Sequence, residues 1–235
     1  MLSIIVPTLN EAECVGPLAE RIAAALAGER YEVIVVDDDS PDGTWRVAGE
    51  LPARLNVRVV RRRGGRDLSR AVVEGFAAAA GELICVMDAD LSHPPEILPA
   101  LLAAVREQGA DLAIASRLVP GGAAEGWPRS RALNSRVATL LARPLTAVRD
   151  PMSGYFLFRR DVLAGVSLKP RGYKIGLEII VKGNAAKIVE VPFVFRDRTA
   201  GKSKLGLRQR FEYLGQVFDL YLEALKRRAR ARRAG

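Results

Sequence analysis

The sequence predicts an α/β fold built on a mostly parallel sheet flanked by helices, and three observations predict it. Five short β-rich runs in the first half alternate with helical stretches of about a dozen residues. The runs are apolar nearly throughout, as expected of strands covered on both faces. Polar clusters, not plain turns, follow three of them, which is where parallel α/β sheets place their ligands.

In chain order the strands are LSIIV (2–6), EVIVV (32–36), NVRVV (56–60), ELICVM (82–87) and DLAIA (111–115). Between them, Glu11 to Leu26, Thr44 to Leu51, Asp67 to Ala80 and Pro94 to Val105 carry helix formers with apolar spacings of three and four. Right-handed crossovers then make the sheet parallel. From about Gly121 the pattern loosens into a Gly-rich loop, a helix from Arg131 to Leu141, a strand YFLFR (155–159), a helix around Gly176 to Gly183 and a single strand IVEVPFVF (188–195). The last element is an amphipathic helix in which Phe211, Leu214, Phe218, Leu222 and Leu225 form a stripe, read first as packing on the domain or on a partner helix.

The 235 residues make one large domain or two small ones, which bury roughly 70–75% of the unfolded surface. A hydrophobic share of 49% against 27% charged excludes disordered, collagen-like and coiled-coil chains. The longest apolar run, Ile97 to Val105, is nine residues, too short for the roughly 18 of a spanning helix. With no basic leader ahead of an apolar stretch, a cytoplasmic protein is expected. Cys14 and Cys85 cannot form a framework, and Cys85 reads as a buried thiol. Net charge is +9, but residues 226–235 hold six basic and no acidic residues, so the remainder carries +3. A nucleic-acid-binding module, a remote alternative, needs a basic stripe with interleaved aromatics; aromatics are only 6% and the charge outside the tail is nearly balanced.

The polar clusters are Pro7 to Glu11, Asp37 to Thr44 and Asp88 to Pro95. Asn10 and Ser40 could cap the helices that follow. Glu11, Asp37, Asp38, Asp39, Asp42, Asp88 and Asp90 would crowd one rim and repel unless cations or donor-rich ligands compensate them. Asp88 and Asp90 can present carboxylates to a divalent ion, and oxygen ligands select Mg2+ or Mn2+ over Zn2+. His93, the only histidine, is read as a turn residue. The chain has no GxxxxGK[ST], and no GxGxxG follows the first strand, so a nucleotide must be held another way. An acidic pair after the second strand suits the N–H edge of guanine or uracil.

Eight ordered blocks then resemble the family-2 inverting glycosyltransferases of GT-A type, and among them the dolichyl- or polyprenyl-phosphate mannose synthases. They are PTLNE, DDDSPDGT, MDADLSHPPE, Ser116-Arg117, WPRSR (127–131), DPMSGYF (150–156), GYKIGLEIIVKG (172–183) and VPFVFRDRTAGKSKLG (191–206). The resemblance implies a Rossmann-like GT-A catalytic domain over 1–206, with the amphipathic helix and basic tail in 207–235. It implies transfer of mannose from GDP-mannose to dolichyl or polyprenyl phosphate, with UDP-glucose as the rival donor. Pro7, Leu9, Glu11, Val36 and Asp38 would line the nucleotide pocket, with Leu9 standing where the family commonly has an aromatic. Asp88, Ala89 and Asp90 would contact the donor, Asp90 as principal metal ligand, while Arg198 and Lys204 meet the diphosphate. Arg117 and Arg131 would take the acceptor phosphate, each able to grip it with two parallel hydrogen bonds; Asp150 either positions acceptor groups or caps a turn. The RTAGKSK stretch would be a lid ordered by donor. Such an acceptor implies a peripheral enzyme at the cytoplasmic face of a membrane, alone, as a homo-oligomer or with a small membrane subunit, and the six basic residues of the tail favour anionic lipid.

Overall fold

The computed structural model describes residues 1–170, 173–196 and 207–234, with side chains in the last helix described for 212–225. The elements follow in order as β1 (Leu2–Thr8), α1 (Ala12–Ala25), β2 (Tyr31–Asp37), α2 (Thr44–Gly49), β3 (Val57–Arg61), α3 (Leu68–Ala78) and β4 (Leu83–Val86). Then come α4 (Leu98–Arg106), β5 (Leu112–Ser116), β6 (Ala123–Glu125), α5 (Arg129–Ala142), β7 (Phe156–Arg159), α6 (Ile175–Lys182), β8 (Ile188–Pro192), β9 (Val194–Arg196) and α7 (Leu207–Ala234).

Seven strands form one sheet in the order β3-β2-β1-β4-β7-β5-β8. All neighbours are parallel except β7, which runs antiparallel to β4 and to β5. The expected mostly parallel sheet is therefore present, with one reversed strand inside it. That reversal brings the start of β7 to the edge where β1, β2, β4 and β5 end, so residues 150–155 join the strand-end loops. The run 188–195, expected as one strand, is two: the chain turns at Phe193, whose amide donates to the Ser116 carbonyl at 3.1 Å. Beyond it β9 pairs with β6 in a separate two-stranded sheet.

Period-2 alternation divides the strands between two cores. Leu2, Ile4, Val6, Val33, Val35 and Cys85 face α1 and α4, meeting Leu18, Ile22, Leu101 and Val105. Ile5, Ile34, Val36, Ile84 and Val86 face α3 and α6, meeting Val72, Phe76, Ile175 and Ile179. Cys85 is buried and unbridged, as expected. A third cluster seats α7: Tyr213, Val217 and Leu220 pack with Ala142, Met152 and Leu177. The stripe expected to pack inward is instead the outer one, since Leu214, Phe218, Leu222 and Leu225 are all exposed. Phe211 and the basic residues 226–233 fall outside the described side chains.

The helix caps also differ from expectation. Neither Asn10 nor Ser40 caps its following helix. The loop after β2 caps α1 from outside: Ser40 Oγ accepts from Asn10 N at 3.0 Å, Thr44 Oγ1 from Glu11 N at 2.9 Å and Asp42 Oδ2 from Ala12 N at 3.1 Å. Two of the donors that a helix start leaves unpaired, Glu11 N and Ala12 N, are thus satisfied by a neighbouring loop, together with Asn10 N just before them, tying the first two strand ends together.

Gly75 in α3 lets the helix lie directly on the sheet. A Cβ there would overlap Ile5 Cγ2 and stand 3.2 Å from Val36 Cγ2. Gly75→Ala is expected to destabilise the fold by about 1–3 kcal/mol despite alanine's better helix propensity; a urea unfolding midpoint equal to wild type would contradict this close approach.

Candidate active site

The strand ends carry the acidic rim, but the chain itself compensates most of it. Asp37 accepts from Thr8 Oγ1 at 2.8 Å, Ser40 N at 2.8 Å and Ser40 Oγ at 2.6 Å. Asp38 is buried and takes the Arg62 guanidinium and, at 3.0 Å, the Asp67 amide. Asp39 pairs with Arg61, and Asp42 accepts from Thr44 N and Oγ1 at 3.0 and 2.6 Å. The expectation that the whole rim demands external cations is therefore corrected; the demand narrows to residues 88–90. Burial pushes the Asp38 pKa up, with Arg62 and the Asp67 amide opposing it. Arg62 went unnoticed in the sequence because an arginine after an edge strand reads as surface charge.

The proposed nucleotide residues sit around this network. Leu9 and Glu11 are half-buried at the end of β1. Pro7, Val36 and Ala89 are buried, so main chain is what they can offer a ligand. Backbone strain gathers here too: of the four described non-glycine residues with left-handed φ, Asn10 (58°), Asp39 (53°) and Leu91 (63°) each lie in one of the three strand-end loops.

At the end of β4 the two carboxylates are held differently. Asp90 is nearly buried and accepts from Ser92 N at 3.1 Å and Ser92 Oγ at 2.5 Å. The Asp88 side chain is 41% exposed, with Oδ2 3.8 Å from His93 Nε2. His93 sits at a bend of the loop after β4, as expected of a turn residue, but not on the surface. It is buried, stacked on Tyr155 with centroids 5.1 Å apart, and its Nδ1 accepts from Asp88 N at 2.9 Å. Desolvation lowers its pKa, so the imidazole is neutral with its proton on Nε2, toward Asp88. Among the described residues no cluster of three His, Cys, Asp or Glu could hold a metal alone. Asp88, Asp90 and the Ser92 hydroxyl are oxygen donors only, which fits Mg2+ or Mn2+ bound through one or two carboxylates, with waters and substrate phosphates completing the shell.

A run of ring contacts leads from His93 to the cationic half. His93 meets Phe193 and Phe195 edge-on, both at 6.0 Å, and Phe195 meets Trp127 at 5.5 Å. Above Trp127 stand Arg117, 5.0 Å from the ring centroid, and Arg131, at 4.5 Å. The two arginines predicted from separate blocks are thus brought together, each favoured by the ring's negative face. Asp150 has a positioning role: its oxygens accept from Arg117 Nε, Nη2 and N at 2.8, 2.7 and 3.0 Å. Its own amide donates to Glu190 Oε1, which also accepts from Ser116 Oγ. The Nε/Nη2 fork of Arg117 is thus occupied by Asp150, and the edge left for a two-bond grip on a phosphate is Nη1/Nη2. Sequence reading missed Lys174, although it stands in a quoted block; its Nζ donates to the Met152 carbonyl at 2.7 Å. Burial and the nearby Arg117 lower its pKa to about 8. Trp127 Nε1 is a buried donor without an acceptor. Arg198, Lys204 and the lid lie outside the described residues.

Residues 3–166 match the model of glycosyl transferase family 2. The chain belongs to that family. A dolichol-phosphate mannosyltransferase of Pyrococcus furiosus is 47% identical to this family 2 chain over 223 residues, covering 93% of it. The chain spans 63% of that relative's length. A dolichol-phosphate mannosyltransferase of Mycosarcoma maydis is 39% identical over 231 residues, covering 93% of this chain and 78% of the relative. The glucosyl-3-phosphoglycerate synthase of Mycobacterium tuberculosis, crystallised with Mn2+ and UDP-glucose, superposes with a TM-score of 0.70 at 20% identity, covering 95% of this chain and 79% of its own. That likeness shows a shared fold.

The Arg117–Asp150 pair sets a stability prediction. Burial alone would raise the Asp150 pKa, but the hydrogen bonds and charge of Arg117 outweigh it and hold it below the ordinary value. The pair therefore stabilises the fold above the ordinary carboxylate pKa, and that contribution is lost as pH falls through the depressed one. Asp150→Asn leaves Arg117 buried without its counter-charge and is expected to cost about 3 kcal/mol at pH 7, a fall in Tm of roughly 6–12 °C. An unchanged Tm at pH 7 would contradict the pairing.

Proposed function

We propose that this family 2 chain transfers mannose from GDP-mannose to a dolichyl or polyprenyl phosphate, with inversion, yielding a β-linked mannosyl phosphate lipid and GDP. The observation that carries the reading is the division of charge across the site. Asp88 borders His93 at one end of the run of rings, with Asp90 two residues on; Arg117 and Arg131 lie over Trp127 at the other end, and Lys174 is held on the Met152 carbonyl. A hydroxyl acceptor would need a general base on the cationic side. The described carboxylates there, Asp150 and Glu190, are engaged with Arg117 and with Ser116 and main-chain amides. A phosphate monoester needs no base, because its second pKa of about 6 leaves it largely ionised at neutral pH. The names of the two relatives support the same acceptor and sugar.

In this reading Arg117 and Arg131 orient the phosphate so that one oxygen lies in line behind the anomeric carbon. That oxygen forms the new bond while the bond to the nucleoside diphosphate breaks, the electron pair leaving with the diphosphate. Pro7, Leu9, Glu11, Val36 and Asp38 border the nucleotide, and Asp88, Ala89 and Asp90 the donor's sugar and phosphates. Asp90 would be the principal ligand of Mg2+ or Mn2+, which when bound supplies positive charge to the leaving diphosphate. Arg198 and Lys204 would add to it.

The acceptor also calls for a membrane, and the surface supports one. Leu133, Val137 and Leu140 on α5 and Leu214, Phe218, Leu222 and Leu225 on α7 are 41% to 70% exposed. Tyr213 and Tyr221 hydroxyls on α7 donate to the Ala138 and Leu141 carbonyls of α5, so these faces belong to adjoining helices. Exposed Arg129, Arg136 and Arg143 border the α5 stripe, suiting a face laid on anionic lipid at the cytoplasmic side.

Labelled GDP-mannose and UDP-glucose, each given with polyprenyl phosphate and Mg2+ or Mn2+, separate the donors: a lipid product from GDP-mannose is expected, and one from UDP-glucose alone overturns the donor assignment. Asp90→Asn is expected to lower kcat on the order of 10²- to 10³-fold, and a rate undiminished by chelator overturns the metal's role. In flotation with anionic vesicles, wild type is expected to rise with the lipid and Phe218→Asp/Leu222→Asp to stay behind; equal behaviour of the two refutes the membrane-facing surface.

A further inference from the structure

We propose that Lys174 is a substrate-binding residue whose ammonium completes the acceptor-phosphate subsite beside Arg117 and Arg131. The inference rests on the anionic acceptor proposed above and goes beyond it by adding a third cationic donor to the two arginines. A phosphate monoester presents three acceptor oxygens. The Nε/Nη2 fork of Arg117 is occupied by both oxygens of Asp150, at 2.8 and 2.7 Å. The guanidinium carbons of Arg117 and Arg131 lie 5.0 and 4.5 Å from the Trp127 ring centroid and 5.8 and 5.4 Å from that of Phe195. What remains to a phosphate from Arg117 is the outer edge of its guanidinium.

Lys174 adds an ammonium to the two guanidiniums. It directly precedes α6 and is pinned at both ends: Nζ donates to the Met152 carbonyl at 2.7 Å, and its main-chain carbonyl accepts from Gln216 Nε2 of α7 at 3.0 Å. An ammonium carries three N–H bonds, and among the described residues the Met152 carbonyl is its hydrogen-bond partner. Asp88 and Asp150 attract it while Arg117 and Arg131 repel it, which places it within the electrostatic reach of the donor carboxylates and of both arginines. His93, the other titratable group it influences, is neutral. A half-buried ammonium within reach of two guanidiniums is stabilised most by an anion that all three can share. The pKa of about 8 leaves it charged at neutral pH, where the acceptor phosphate is ionised.

The test is calorimetric binding of a short-chain isoprenyl phosphate, below its micelle concentration, to wild type, Lys174→Met and Lys174→Gln at pH 7, with GDP as the control ligand. Both neutral variants are expected to weaken phosphate binding about 10- to 100-fold, the loss of one charged hydrogen bond, with GDP affinity within twofold of wild type. Phosphate affinity equal to wild type in either folded variant overturns the assignment. So does a parallel loss for GDP, which would mark a purely structural role, and so does a wild type that does not bind the phosphate. Transfer assays on the same samples separate this inference from the function it rests on. Wild type that binds the phosphate but never forms a glycosyl lipid sinks the function and leaves Lys174 assigned, whereas transfer with an unchanged acceptor KM in Lys174→Met sinks Lys174 alone.

Discussion

The ion pair between Asp150 and Arg117 is the constraint around which the cationic half of the site is arranged. Asp150 is fully buried, and a carboxylate in that position is tolerable only if its charge is met. It is met by three donors of one residue, which fix Arg117 in rotation as well as in place. The pair spans elements far apart in sequence: Arg117 follows β5, and Asp150 lies in the loop that enters β7. Glu190 of β8 braces the loop by accepting from Arg149 N and Asp150 N at 2.8 and 3.0 Å. Because β7 runs antiparallel between β4 and β5, the same loop also carries Gly154 to Asp88, where an added Cβ would stand 3.9 Å from each carboxylate oxygen. One reversed strand thus lets a single segment touch both the acidic and the basic half.

A run of ring contacts joins the two halves: His93, which borders Asp88, meets Phe193 and Phe195, and Phe195 meets Trp127 beneath the arginines. The arginines gain quadrupole attraction from these rings, and the carboxylate that pairs with Arg117 is Asp150, not one of the strand-end acids. A neutral His93 is consistent with this division: a charged imidazole stacked on Tyr155 would pair with Asp88 and blunt the acidic side.

Much of this was legible in the sequence, and what was not has physical reasons. The alternation of apolar runs with helices gave β1 to β5 and α1 to α4, because strands buried on both faces leave a strong compositional mark. The direction of β7 left none, since YFLFR is equally apolar read either way. The break at Phe193 was hidden because β8 and β9 are both β-rich and no glycine or polar turn separates them. In the site, strand-end clusters pointed to Asp88 and Asp90, while Arg117 and Arg131 came from the family resemblance. Compensation was misjudged, because Ser40, Thr44 and Arg62 neutralise the rim through contacts between loops, which no local spacing records. Lys174 was passed over for a related reason. A lysine before a helix is ordinarily solvated, and here the approach of Met152 and Gln216 from elsewhere in the chain leaves it half-buried.

That approach ties the outer surface to the chemistry. The inner stripe of α7, Tyr213, Val217 and Leu220, is buried against α5 and α6, and the outer stripe is exposed only because this inner one is satisfied. Phe218 and Leu222 share one helix with Val217 and Gln216, so the outer stripe and the inner contacts are positioned by the same element. Gln216 ends on the carbonyl of Lys174, and Tyr213 and Tyr221 end on carbonyls of α5, the helix whose first turn holds Arg131. Two of the three cations therefore hang from helices that present apolar faces outward. A lipid acceptor has the matching polarity, a charged head on an apolar tail, and would meet the arginines and Lys174 with its head while its tail stays on the side of those exposed stripes.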